Sequence, residues 1–295
     1  MLKWKEYEVS KRSLYFECNT GISGDMTVAA LLDAGASEAV LMNALEGIDD
    51  SSFEVKISRV KKSGLDCCDF DVVLDVDHEN HDHDMDYLYG HEHQHHDHEH
   101  HHHDHDEHHH HQHDYHRHHH HEHRNPDDIK NIINDLNITD NAKHIACKVF
   151  DILAEAEAKA HGTSIDDVHF HEVGAIDSIV DVIAAAVCLD NLAVDEVIVK
   201  SISEGTGSVR CQHGVIPVPV PAVTNIAAAH KLPLKIVDRE GEFVTPTGAA
   251  FLAATMTKNE LPGSFTIERV GMGAGKRDYD PPGILRAMII NSDEE

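Results

Sequence analysis

Two imidazoles and three carboxylates fall within thirteen residues, His169-Phe170-His171-Glu172-Val173-Gly174-Ala175-Ile176-Asp177-Ser178-Ile179-Val180-Asp181. In an extended segment His169 and His171 project from one face, because strand side chains alternate. Asp177 and Asp181 are four apart, which stacks them on one face of a helix, and the apolar run Ile183 to Leu192 continues that helix. Gly174 supplies a turn between the two halves. Imidazoles beside carboxylates suit a transition metal. The expected metal-side residues are therefore His169, His171 and Glu172, with Asp177 or Asp181 in support. His161, which ends the preceding helix, is expected to stand outside this site. The same residues also read without a metal, with Asp177 complementing the helix dipole and the histidines packing.

A second cluster is Arg210-Cys211-Gln212-His213-Gly214. If extended, it turns Cys211 and His213 onto one face beside Arg210, whose charge favours a thiolate. Taken alone, Cys-x-His reads first as a structural cysteine. Two further stretches offer backbone amides. Gly21, Ser23, Gly24 and Asp25 lie between an apolar strand and an apolar helix, an arrangement that presents a helix N-terminus to an anion. The stretch lacks the Gly-Lys-Ser/Thr of a P-loop and is not Gly-x-Gly-x-x-Gly. Asp25 is either a reacting group or a helix cap. Thr245, Thr247 and Gly248 open another helix and could hold a phosphate or carboxylate, although by sequence alone a Thr245 cap with Pro246 at the first position is the favoured reading. The reacting groups expected from residue chemistry are Asp25, Cys211 and His213.

From His78 to Arg124 the chain holds 24 histidines in 47 residues, with twelve acids and two arginines. So few apolar side chains cannot offset the entropy of ordering, and the expectation is a disordered, metal-binding insertion. About a quarter of the imidazoles are protonated at pH 7, which leaves the tract net acidic. At three or four ligands per ion it would hold roughly six to eight divalent ions.

Around these groups run the elements that must position them. Leu14 to Cys18 reads as a buried strand, Met26 to Ala34 and Glu38 to Leu45 as helices, and Phe53 to Val76 as a hairpin turning at Lys61 to Gly64. Asn125-Pro126 and Thr139 open two more helices, the second reaching His161-Gly162. Strands are expected over 194–202, 234–237, 265–270 and 284–290, with a glycine turn over 271–278. Three alternating prolines, Pro217, Pro219 and Pro221, exclude a central strand there. The fold class is α+β: a mixed sheet with interleaved helices. It divides into residues 1–77, the insertion 78–124, and residues 125–295, which complete the domain and carry the central His/Asp motif.

With 24 basic against 53 acidic residues the chain carries −29, which argues against nucleic acid and anionic membranes as partners. No apolar run is long enough to span a bilayer. No secretory signal is expected at the start, and six scattered cysteines read as reduced thiols of a cytoplasmic protein.

Five stretches together resemble the LarC family: Asn19-Thr20-Gly21-Ile22-Ser23-Gly24-Asp25-Met26, His169 to Ala175, Arg210 to Gly214, Val244 to Ala249, and Gly271-Met272-Gly273-Ala274-Gly275. The resemblance implies a nickel insertase of nickel-pincer cofactor biosynthesis. Such a protein places Ni2+ between the two thiocarboxylate sulfurs of a pyridinium mononucleotide and consumes CTP. It also implies a further C-terminal domain holding CTP and its divalent metal. This chain reaches Glu295 five residues after its last apolar strand, so it is expected to be the N-terminal part, with a companion CTP-binding polypeptide. A non-catalytic nickel store or delivery chaperone is the alternative. A metal-dependent hydrolase using His169, His171 and Asp181 is a third reading, with no evident general base or substrate clamp.

Overall fold

A computed structural model describes residues 11–74, 124–168, 170, 174–211 and 213–292. Among the described residues one sheet of seven strands organises the chain. The strands, in chain order, are β1 (Lys11–Cys18), β2 (Phe53–Lys62), β3 (Leu65–Leu74), β4 (Glu196–Thr206), β7 (Leu234–Glu240), β8 (Thr266–Ala274) and β9 (Ile284–Ser292). A separate hairpin joins β5 (Ser208–Cys211) to β6 (Gly214–Pro217). The sheet order is β2-β3-β8-β9-β1-β4-β7, in which β1, β4 and β7 run parallel and β9 runs antiparallel to β1 and β8. The sheet is therefore mixed, as the interleaved pattern implies. It draws strands from both sides of the histidine-rich segment.

The helices are α1 (Gly24–Asp33), α2 (Glu38–Leu45), α3 (Pro126–Asp135), α4 (Asp140–His161), α5 (Ile176–Leu192), α6 (Pro221–His230) and α7 (Pro246–Thr255). Their starts follow local chemistry. Asn125 forms a capping box with Asp128 ahead of Pro126, and the hydroxyls of Ser37, Thr139 and Thr245 accept from the amides of Val40, Ala142 and Gly248, each such cap contributing about 1 kcal/mol. α4 ends at Gly162 in the left-handed region, where glycine carries no steric penalty. α1 packs on β8 and α5, and α4 packs on α5, α6 and α7. Leu14 and Phe16 point into this helical layer and are fully buried. Tyr15, Met288 and Ile290 face the other side, in a small separate cluster with Ile198.

Two expectations about elements change. The glycines at 271 and 273 do not form a turn; they lie inside β8. A Cβ on Gly271 would come 2.1 Å from the Ala30 carbonyl oxygen, and one on Gly273 would come 2.1 Å from that of Met26. They are bare so that α1 can lie directly on the strand. Cys211 and His213 are not on one extended segment either. Cys211 ends β5 and pairs with Gly214, which opens β6 at φ +87°, so the two side chains sit at a hairpin tip.

Candidate functional site

The parallel strands β1, β4 and β7 end at one edge of the sheet, and a cleft of about 400 Å3 opens beyond them. Ligands of α/β proteins commonly bind outside the carboxyl ends of strands, and this volume falls in the range of small-molecule sites. Each strand exit contributes to its wall: Ser23 to Met26 after β1, Val209 to Cys211 after β4, and Glu242, Phe243 and Thr245 to Thr247 after β7. The first turns of α1, α5, α6 and α7 all reach it, through Asp25, Asp177, Ala222 and Thr247. Four helix N-termini give the cleft a positive backbone field that favours anions.

α5 explains the acids. It is buried along nearly its whole length, and the polar residues of its first turns, Asp177, Ser178 and Asp181, line the cleft. The Asp181 carboxylate lies over the start of α1, where a Cβ on Gly24 would come within 2.5 Å of Asp181 Oδ2. It accepts the Asp25 amide, and burial followed by repulsion from Asp25 and Asp177 pushes its pKa well above the ordinary carboxylate range, against the pull of Lys276. Ser23 Oγ bonds Asp25, and Asp177 Oδ1 accepts the Ser178 amide at 2.8 Å. Lys276 stands beside these acids. Burial lowers its pKa, but ion pairs with Asp69 at 2.7 Å and Asp71 at 3.3 Å leave it raised overall.

A different chemistry lines another part of the cleft. Cys211 Sγ is 3.6 Å from His213 Nδ1. The His213 ring lies 4.8 Å from that of His161, which in turn pairs with Glu157 at 3.5 Å. Burial, then the charge of His161, lowers the pKa of His213. Burial raises that of Glu157, partly offset by His161. Burial likewise pushes the thiols of Cys18, Cys68 and Cys188 up, Cys68 to about 11, so these stay protonated. Among the described residues no disulfide joins the six cysteines.

At the third side Thr245 and Thr247 share a 2.8 Å hydroxyl–hydroxyl bond, Arg277 pairs with Glu242, and Phe243 packs on Tyr279 at 5.3 Å. The Nε of Arg210 is buried without a hydrogen-bond partner among the described residues.

Of the residues singled out by sequence, Ser23, Gly24, Asp25, Asp177, Asp181, Cys211, His213, Thr245 and Thr247 meet in this cleft. Gly21 and Gly248 are not part of its wall. Their bare faces are covered by the Phe243 and Ile22 backbones, with carbonyl oxygens 1.9 Å and 2.5 Å from where a Cβ would be. His169, His171 and Glu172 lie outside the described residues; Phe170 and Gly174 bracket the last two and are packed against each other. Among the described residues, no group of three or more His, Cys, Asp and Glu side chains is placed to hold a metal ion. His161 is in the cleft, contrary to expectation, because α4 ends against the β5–β6 hairpin. Glu157, Glu242, Lys276, Arg277 and Tyr279 were not singled out by sequence. The Lys276-Arg277 pair, rare basic charge after a glycine run in an acidic chain, was the one available signal.

Residues 14–295 match the family model described as nickel insertion protein. The chain belongs to that family. Over 277 residues it is 49% identical to the pyridinium-3,5-bisthiocarboxylic acid mononucleotide nickel insertion protein of Alkaliphilus metalliredigens, covering 94% of this chain and 60% of the relative. It is 40% identical to the protein of the same name from Clostridium kluyveri, covering 94% and 61%. It is 45% identical to a putative nickel insertion protein of Maridesulfovibrio salexigens, covering 96% and 64%. The chain thus spans about three fifths of the length of the family members it matches. No solved structure matches it. Among the described residues no helix is long and apolar enough to cross a membrane.

Proposed function

We propose that the cleft is where nickel enters pyridinium-3,5-bisthiocarboxylic acid mononucleotide, and that this chain is the nickel-binding part of a cytoplasmic insertase. The observation that carries the reading is convergence. Four of the five stretches that carry the family resemblance, far apart in sequence, supply walls of one cleft, and the fifth leads directly into α5. The four helix N-termini, with Arg277, Thr245 and Thr247, suit the phosphate and thiocarboxylate charges of the mononucleotide. Asp25, Asp177 and Asp181 attract the incoming cation, with His169, His171 and Glu172 beside them in sequence. Cys211 and His213 offer a thiol and an imidazole, donors suited to nickel, and the thiocarboxylate sulfurs of the substrate would complete the shell. Nickel is cargo here, passed from protein donors to substrate sulfur.

Within this reading residues 78–124 act as a metal reservoir between the two parts of one domain, 1–77 and 125–295. The reaction, a metal chelation of the lyase class, draws on CTP with a divalent metal, held by a companion CTP-binding part. The histidine content of residues 78–124, 24 of 47, favours a second reading of storage and delivery without insertion.

Nickel(II) titration of the full chain tests the cleft assignment. Thiolate-to-nickel charge transfer absorbs in the near ultraviolet, and imidazoles and carboxylates cannot produce it. The band is expected in the wild type and in Cys147→Ser and is expected to vanish in Cys211→Ser. A band that survives Cys211→Ser places the thiol seat elsewhere.

A further inference from the structure

Glu204 is a fully buried acid that the reading above leaves without a role. It sits near the end of β4, beneath the strap Gly241–Thr245 that forms one wall of the cleft. Its Oε1 accepts three amides, those of Gly205 at 2.8 Å, Phe243 at 2.8 Å and Val244 at 3.3 Å. Its Oε2 has no partner among the described residues. The rest of the strap is tied by backbone: Gly241 donates to Thr206, Ile22 donates to Phe243, and Thr245 donates to Ile22. The two central amides of the strap depend on the Glu204 side chain instead.

The charged groups on neighbouring elements leave the acid uncompensated. Lys235 and Arg239 on β7 are exposed. Arg277 is engaged by Glu242, and Tyr279 packs on Phe243 and over Gly241. The Cys18 thiol on β1 is buried and protonated. The nearby charge of Glu242 repels Glu204.

We propose that Glu204 is a positioning residue of the cleft: as the neutral acid it holds the 241–245 strap through the Phe243 and Val244 amides, and on ionisation it releases it. A carboxylate with one oxygen buried and unpaired is costly, whereas the neutral acid leaves only an uncharged hydroxyl unpaired there, which costs less. Consistent with this, burial pushes its pKa from 4.5 up to about 7, although the three amides pull the other way. In a loosened strap Glu204 meets water and regains its ordinary value, so closing the strap takes up a proton. The closed form is therefore fully favoured below pH 4.5, loses about tenfold per pH unit between 4.5 and 7, and levels off above that. The strap supplies Glu242, Phe243 and Thr245 to the cleft wall and leads into Thr247, so ligand binding there should follow the same profile. That last step rests on the cleft being the mononucleotide site; the strap's response does not.

Amide hydrogen exchange on the full chain, expressed as protection factors between pH 5 and 8, reads the strap directly. In the wild type, protection of Phe243 and Val244 should fall at least tenfold across that range while Leu14 and Phe16 on β1 stay constant. Glu204→Gln keeps the acceptor and removes the titration, so its strap protection should not change with pH. Mononucleotide affinity should weaken with rising pH in the wild type beyond any change in Glu204→Gln. Equal pH profiles of strap protection in the two proteins overturn the proposal. The expected exchange profiles without mononucleotide binding by either protein would support the role of Glu204 and overturn the reading of the cleft.

Discussion

Gly24 has no side chain because Asp181 occupies the space one would need, and this contact brings the turn after β1 and the first turns of α5 into one site. Spacing alone placed Asp177 and Asp181 on a common helix face. It could not show that Asp25, from a turn more than 150 residues earlier, would join them, since that meeting depends on β1 and β4 ending at the same edge. Residue types were legible in Cys211 and His213 as well, although their proximity comes from a hairpin tip. In sequence His161 is a mere helix end, because no local pattern says which element a helix terminus meets. Two predictions belong here. In a chain lacking residues 78–123, His171→Ala is expected to weaken nickel binding at least tenfold, about 1.4 kcal/mol, in isothermal titration; unchanged affinity would remove His171 from the metal-side set. The second concerns Glu204, whose pKa is raised from 4.5 to about 7 in the fold. A raised carboxyl stabilises the fold below its unfolded value and loses that contribution as pH climbs to its folded value. The urea-unfolding free energy of the wild type should therefore fall relative to that of Glu204→Gln, by on the order of 3 kcal/mol, between pH 4.5 and 7. A constant difference across that window would contradict the assignment.

Among elements, the helix starts were the most legible parts, since Asn125-Pro126, Thr139 and Thr245-Pro246 are local signals that needed no tertiary context. What they could not show is that four helix N-termini converge, which turns ordinary caps into an anion-favouring wall. The glycines of β8 are deceptive in sequence for a related reason. A run of alternating glycines reads locally as a turn, and only the helix lying against it shows why a strand would carry them. Gly273→Ala puts a methyl 2.1 Å from the Met26 carbonyl oxygen and 2.6 Å from the Ala30 amide nitrogen, backbone atoms that cannot move aside alone. We expect a loss of about 1–3 kcal/mol in urea unfolding, with Gly64→Ala as a comparison in a turn where a Cβ meets nothing within 4 Å. Gly273→Ala that unfolds as the wild type would mean that α1 does not pack on β8 as described.

At the scale of the whole molecule, the α+β class was readable from alternating helix and strand patterns. The strand order was not, because pairing β3 with β8 and β9 with β1 joins segments some 200 or more residues apart. The histidine-rich segment interrupts a sheet that both flanks build together, and Arg124 at its end is tied to Asp50 at 3.0 Å. Removing residues 78–123 and keeping Arg124 should therefore leave a cooperative thermal transition while bound nickel falls to about one or two ions per chain. Loss of that transition would show the segment to be structural. The proposed function assigns insertion to the cleft rather than to that segment. The most direct measurement is the rate of nickel incorporation into the mononucleotide, followed spectroscopically with nickel limiting and with CTP and the companion part present. Cys211→Ser is expected to slow incorporation at least tenfold while Cys147→Ser does not; incorporation by Cys211→Ser at the wild-type rate would contradict the account.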